Sequence, residues 1–430
     1  MRAARTGRLP GAFWRLWSSS TVSNLGDGVF LVALPLLAAS ITDDPLAIAL
    51  IAVAATLPWL LFSLPFGALV DRHDRKALMV RADVFRAAVV GVLTVVTIVG
   101  EAQIWMLWLV AFLLGTAEVL FDNSSQAVLP AIVEPEQLDD ANGKKYSAEL
   151  LANQFIGLPL GGILFAVAVW LPLGTNAISF VVAAVLVWGL RGNFHPGPAR
   201  RGTTMTGEMR EGWRWLWRHR LLRSLAIALA LVNLGFQIPQ AIFVLYARDE
   251  LAVSDQWYGV LLGVMGIGAI LGGLLAARVV ARIGQLFALY SAIVIWAVAM
   301  LTFAVAPYLI LVTVMAGVIA FATTVWNVIS VGLRQELVPT RIFGRVNSIF
   351  RWFAWGSLPL GALVGGQVAQ TFGVRATYAV GAVAVLSSIL VLAGSLRPEP
   401  LRLARARAAR ARALEHDDTP EHIDRDPLFD

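Results

Sequence analysis

Apolar windows of about 20 residues, each closed by charge, proline or glycine, recur along the chain, and a transmembrane helix needs about that length. Twelve are read, over 19–40, 46–70, 77–99, 104–127, 146–170, 174–191, 222–246, 257–280, 285–305, 308–331, 347–370 and 374–396. Two long polar stretches remain, 192–220 and 397–430, and neither is large enough for a soluble catalytic domain. The expected organisation is an N-terminal segment (1–18), six spans (19–191), a linker (192–221), six further spans (222–396) and a tail (397–430). The first window follows Arg2, Arg5, Arg8 and Arg15 and ends on Ala38-Ala39-Ser40, as a signal peptide would. Its length, the Asp27 inside it and the eleven spans after it favour an uncleaved first helix.

Composition agrees. Of 430 residues, 58% are hydrophobic and only 14% charged, whereas a soluble chain carries about 25% charged residues. The absence of cysteine excludes disulfides, thiolate zinc sites, iron–sulfur clusters and cysteine nucleophiles, and five scattered histidines do not suggest a metal site. No Gly-x-x-x-x-Gly-Lys-Ser/Thr phosphate loop occurs, so ATP hydrolysis is unsupported and any transport is secondary. No metal and no cofactor are expected. An enzyme is disfavoured because the spans hold no acid–histidine cluster, and a sensor because there is no output domain.

Lysine and arginine fix the expected orientation. All but three of the 34 fall on one side of the spans; Arg248 and Arg375 lie on the other, and Arg86 lies inside the third span. The bias places both termini in the cytoplasm and the chain in the plasma membrane as a multi-pass protein. Trp14, Trp17, Trp105, Trp170 and Trp257 sit near span ends, as an interfacial belt would. Trp213 and Trp217, interleaved with Arg210, Arg214 and Arg218, predict an amphipathic helix in the linker that meets membrane lipid. The short basic run after Leu401 is too small to suggest nucleic-acid binding.

Gly157-Leu158-Pro159-Leu160-Gly161-Gly162 in the fifth span returns as Ser357-Leu358-Pro359-Leu360-Gly361-Ala362 in the eleventh. A direct repeat offset by six spans describes two six-helix bundles in the same orientation. The fold class expected is an all-α membrane protein of twelve transmembrane helices in two bundles.

These residues reach a known family. Gly67-Ala68-Leu69-Val70-Asp71-Arg72-His73-Asp74-Arg75-Lys76 resembles the loop signature of the major facilitator superfamily, and Gly157 to Gly162 resembles the fifth-helix motif of its antiporter branches. Asn24-Leu25-Gly26-Asp27, Phe121 to Pro130 and Gly344-Arg345-Val346-Asn347-Ser348 are most similar to the group of macrolide and siderophore exporters. One departure from the drug–proton antiporter pattern is the lack of arginine in the fourth span. The resemblance implies a monomeric efflux antiporter of the antibiotic-resistance kind. It would export a small amphipathic molecule against protons by rocking of two bundles.

Each motif also has a physical reading. Asp71, at a helix end with Arg72, Arg75 and Lys76 and preceded by Gly67, can form a breakable latch; alternatively the loop is a solvated hairpin. Gly157, Gly161, Gly162 and Gly361, with the GxxxG spacings 259/263, 268/272 and 361/365, permit close helix approach. Pro159 and Pro359 delete a backbone donor, so these stretches read as hinges or as tight packing.

An ionised side chain at the bilayer centre costs at least about 2.5–3.5 kcal/mol and usually faces a cavity. Spans six, nine and twelve carry no interior charge, which suits lipid contact. Polar residues share one face in span one (Asn24, Asp27), span four (Glu118, Asp122, Gln126), span seven (Asn233, Gln237, Gln240) and span ten (Thr323, Asn327, Ser330). These are the cavity-lining helices that the resemblance implies. Asp27, Glu118 and Asp122 are the proton-coupling candidates, since neutralising a carboxyl in a partly dry cavity releases a cationic substrate; each could equally be a structural hydrogen-bonding group. Glu149 with Asn153, and Arg351 with Trp355, are candidates for the opposing wall, Arg351 alternatively being a snorkelling helix-end residue. Trp59, Phe62, Trp326 and Trp352 are the expected aromatic lining, which would serve a second reading, carriage of a lipid-like or siderophore-like molecule, equally well.

Overall fold

The computed structural model describes residues 9–192, 194–195, 205–339 and 342–406. Arg2, Arg5, Arg8, the middle of the linker and the tail beyond residue 406 lie outside these. Among the described residues all regular structure is helical. The first half comprises α1 (Gly11–Ile41), α2 (Pro45–Val70), α3 (Arg75–Ile98), α4 (Ile104–Ile132), α5 (Leu138–Leu150), α6 (Leu158–Val167) and α7 (Leu171–Trp188). A π-helical stretch, Leu151–Gly157, joins α5 to α6, so together they form the fifth span. The second half comprises α8 (Met205–Arg218), α9 (Arg220–Gln240), the short α10 (Phe243–Leu245), α11 (Asp255–Ile283), α12 (Gln285–Val305), α13 (Leu309–Leu337), α14 (Phe343–Phe372) and α15 (Val374–Ala393).

Every expected span coincides with a helix. Ten are long and apolar enough to cross a membrane. The other two, α3 and α14, are 24 and 30 residues long but more polar, α3 carrying Arg81, Asp83 and Arg86 and α14 being rich in glycine and tryptophan. α1 starts earlier than its apolar window because Phe13 and Leu16 bury against Val133 and Leu190 rather than meeting lipid. The amphipathic linker helix is α8, which buries Trp215 and Leu216 and packs along α14 and α9.

The sixfold offset of the sequence repeat is also the offset of the packing. α2 packs on α4 as α11 does on α13, α1 on α7 as α9 on α15, and α3 on α7 as α12 on α15. Between halves, α2 meets α14 and α6 meets α11, again equivalent pairs. The repeated motif explains this, because its small residues serve two contacts at once. A Cβ on Gly161 would lie 2.6 Å from the Val29 carbonyl of α1, and one on Gly361 would lie 2.7 Å from the Leu234 carbonyl of α9. A Cβ on Gly162 would lie 2.8 Å from the Asp255 carbonyl of α11, across the interface, and one turn beyond Gly361 a Cβ on Gly366 would come 2.7 Å from Ala49 of α2.

These cross-bundle contacts sit toward the face opposite the chain termini, here called the far face. Gln370 reaches Asp44 at 3.3 Å there, and Arg248 donates to the Ala39 carbonyl at 2.7 Å. Halfway along, Trp59 of α2 stacks on Trp355 of α14 with centroids 4.6 Å apart. Toward the terminal face the corresponding positions, Gly67, Gly143, Gly332 and Gly344, have open space around them. On this side Glu118, Gln126, Glu149 and Arg351 are exposed, so a crevice opens on the terminal face and ends at the Trp59–Trp355 pair. Apolar side chains are exposed on α7 (Ile178, Val185), α12 (Phe287, Val298) and α15 (Val383, Leu390), as expected for lipid contact, and also on α3 (Val92, Val95) despite its charges.

Gly162→Leu should wedge α6 from α11. Overpacking costs about 1–3 kcal/mol, a shift of roughly 5- to 150-fold between conformations. In this cysteine-free chain, Ala49→Cys, buried in the closed seam, should become more reactive to a water-soluble maleimide when Gly162→Leu is added. Unchanged labelling would count against this seam as the closed gate.

Candidate functional site

The first-bundle wall of the crevice is acidic. On α1, Asp27 accepts a hydrogen bond from the Ser23 hydroxyl at 3.4 Å, and Asn24 donates back to the Ser20 carbonyl at 2.7 Å. Glu118, Asp122 and Gln126 follow one stripe of α4, with Glu118 and Gln126 exposed to the crevice and Asp122 half-buried. From α5, Lys145 donates to the Ser125 hydroxyl at 2.8 Å, pinning α5 to α4, and Glu149 is exposed one turn further on. Asp27, Asp122 and Glu149 lie within electrostatic reach of one another, as do Glu118, Asp27 and Asp122. The three coupling candidates and Glu149 are thus brought together.

Three members of this cluster were not among the candidates. Asp83 and Arg86 of α3 form an ion pair at 2.5 Å with side chains 0% and 3% exposed. The guanidinium lies over Phe121 of α4 at 4.7 Å and over Phe180 of α7 at 4.5 Å. The available signal was a lone arginine inside a span with an aspartate three residues before it. Lys145, the third, is a helix-end cation in sequence.

The second-bundle wall carries no acid among its lining residues. Asn233, Asn327 and Arg351 line a pocket of about 230 Å³ with Leu229, Trp326, Ser330, Arg334, Phe350 and Ala354. Arg334 donates to the Asn347 side chain at 2.9 Å, Asn233 donates to the Ala354 carbonyl at 3.1 Å, and Arg351 is within electrostatic reach of Asp122 across the crevice.

Gln237, Gln240 and Thr323 do not line this pocket. α9 runs away from the terminal face and ends at Gln240, so Gln237 and Gln240 lie on the sealed side, while Thr323 sits at the midpoint of α13, one turn before Asn327. Gln237 packs its Cβ beside Gly361, and Thr323 bonds back to the Ile319 carbonyl at 2.8 Å. Trp355 closes the seam against Trp59 rather than lining the pocket, and of the expected aromatic lining Trp326 faces the pocket while Trp59 is buried. Trp352 joins Trp213 and Phe353 in an aromatic cluster between α8 and α14.

In the 67–76 loop, the engaged acid is Asp74 rather than Asp71. Asp74 caps α3 by accepting from the Ala77 amide at 3.0 Å and pairs with His195 at 3.3 Å. Arg75 donates to the Ala127 carbonyl at 3.1 Å and Lys76 to the Leu190 carbonyl at 2.8 Å, the favourable placing of cations at helix C-termini. Asp71 and Arg72 are exposed and form no ion pair among the described residues, so in this open conformation no latch joins the bundles here. At the hinge candidates the halves differ: Pro159 follows the π-helical stretch, whereas Pro359 lies inside a continuous α14.

The profile of a family described as transmembrane secretion effector matches residues 9–419. The multidrug efflux pump Tap of Mycolicibacterium fortuitum is 26% identical over 374 residues, covering 84% of this chain and 90% of that protein. Macrolide efflux protein A of Streptococcus pyogenes is 23% identical over 373 residues, covering 84% and 90%. Among solved structures, a point variant of the nucleoside transporter NupG superimposes with a TM-score of 0.74 at 12% identity, covering 89% of this chain and 99% of that one.

Asp74→Ala should lower stability by about 1 kcal/mol through loss of the cap. Asp71→Ala should stay within about 0.5 kcal/mol, as for a surface residue. Thermal unfolding in detergent checks the order of the two; the reverse order would contradict these assignments.

Proposed function

As the chain belongs to the transmembrane secretion effector family of the major facilitator superfamily, we propose that it exports amphipathic, cationic small molecules of the drug or macrolide type, exchanging them for protons by alternating access. It is a membrane transporter and not an enzyme. Its relatives include a multidrug and a macrolide efflux pump, which supports efflux as the direction. The lysine and arginine bias makes the terminal face cytoplasmic, so the crevice would take its cargo from inside the cell.

The observation that carries this reading is a charge imbalance. Five carboxyl groups, Asp27, Asp83, Glu118, Asp122 and Glu149, line or back the first-bundle wall, against Arg86 and Lys145 of the same bundle. Carboxylates at membrane depth are costly unless compensated. Protons compensate them when the crevice is empty of cargo, and a cationic substrate does so when bound, so the two compete for the same sites. Asp27, Glu118 and Asp122 carry that competition. Asn233, Asn327 and Arg351 supply hydrogen bonds from the other wall, and Arg351 repels a cation toward the acids. The second bundle closes over the cargo through its glycine seams, with the π-helical stretch before Pro159 as the flexible joint. A monomer is sufficient for this cycle.

The test is proton movement in proteoliposomes under an imposed pH gradient, against a panel of macrolide-like, cationic and siderophore-like compounds. Substrate-dependent flux that collapses with an uncoupler is expected. Asp27→Asn and Asp122→Asn should each reduce uphill transport by about tenfold or more, the size of an ordinary coupling free energy, while membrane insertion is retained. Full uphill activity in both variants would remove these residues from the coupling site.

A further inference from the structure

We infer that Arg86 is a positioning residue of the transport cycle: held between three helices, it is the counter-charge shared by Asp83 and Asp27, turning toward Asp27 when that carboxyl is bare and back to Asp83 when Asp27 is protonated. The inference rests on the reading of Asp27 as a coupling group.

The geometry is unusual for a merely structural pair. Asp83 and Arg86 are buried in a helix whose outer face meets lipid, where an apolar pair would be cheaper. Each keeps an unused valence, since Arg86 Nε and Asp83 Oδ2 are buried without a hydrogen-bond partner. Phe121 and Phe180 both lie against the guanidinium, with ring centroids 4.7 and 4.5 Å from its central carbon. The ring faces attract the cation without directing its N–H groups to one acceptor, so it can change partners without leaving its slot.

Asp27 is the strongest electrostatic partner of Arg86 outside its own helix. It follows Gly26, which packs directly on Ser179 and Asn176 of α7, the residue before Phe180 and the one a helical turn before it. The Asn176 side-chain amide is also buried without an acceptor, so a further polar group stands ready beside Asp27. The charged groups acting on Arg86 are Asp83 on its own helix, Asp27 on α1, and Glu118 and Asp122 on α4, with Asp83 and Asp27 ahead of the other two. α7 carries no titratable residue, and Glu149 of α5 acts on Asp27. In the exchange, the proton leaves Asp27 for the water of the open crevice. Arg86 keeps all its protons and changes only its partner.

Arg86→Gln, the neutral pair Arg86→Gln with Asp83→Asn, and Arg86→Lys would be compared in proteoliposomes with tetraphenylphosphonium as the cation. Two readouts are needed: accumulation driven by a pH gradient, and gradient-free exchange of labelled for unlabelled cation. Arg86→Gln and the neutral pair should lose accumulation by about tenfold or more and keep exchange, and Arg86→Lys should accumulate with a displaced pH profile. Recovery of accumulation in the neutral pair would overturn the inference, because a self-contained ion pair needs only neutrality. Loss of exchange together with accumulation in all three variants would overturn it equally, leaving a role in folding or cargo binding. Should Arg86→Gln fail to fold, the neutral pair and Arg86→Lys decide. Wild type without proton-driven accumulation of any cation would strike at the proposed function itself, and this inference would go with it.

Discussion

An excess of carboxyl groups inside one bundle is the constraint on which the remainder of the molecule depends. Asp27, Asp83, Glu118, Asp122 and Glu149 share an interior with Arg86 and Lys145, and Arg351 is the further cation that reaches the cluster across the crevice. At a cost of at least about 2.5–3.5 kcal/mol for each bare charge at membrane depth, such a set persists only where protons, water or a cationic ligand can reach it. Hence the crevice runs to these residues and stops beyond them, at the stack of Trp59 on Trp355. The aromatic slot that holds Arg86 belongs to the same account, since it keeps one permanent cation among the acids.

The two halves share a layout and differ in chemistry. Equivalent helices pack on one another at an offset of six spans, and the same glycine-rich motif brings the fifth span onto the first and the eleventh onto the seventh. Yet the acids of the crevice lie in the first half, while the second lines it with Asn233, Asn327, Arg334 and Arg351. The joint is unequal as well, with a π-helical stretch before Pro159 and an unbroken helix through Pro359. A symmetric frame with asymmetric walls lets one half hold charge while the other closes over it.

Much of this was legible in the sequence. The twelve windows, the repeat of Pro159 at Pro359, and the stripe of Glu118, Asp122 and Gln126 follow from period and length alone, because lipid enforces both. Other features were not. The stripe of Asn233, Gln237 and Gln240 gives a helix face but no depth, and the far-face seal places the last two beyond the crevice. Asp83 and Arg86 become a site only when Phe121 and Phe180 arrive from two other helices. Asp71 and Asp74 are three residues apart in one loop, and which of them is engaged depends on where α3 begins. Phe13 and Leu16 extend α1 beyond its apolar window because protein, rather than lipid, covers them.

The central claim is that protons and a cationic cargo compete for one carboxylate cluster. Its most direct measurement is proton release on cargo binding, followed with an indicator dye in weakly buffered detergent solution near neutral pH. Binding of a transported cation should expel protons from the wild-type protein, and Asp27→Asn together with Asp122→Asn should reduce that release while leaving the fold intact. Binding without any release of protons would contradict the account.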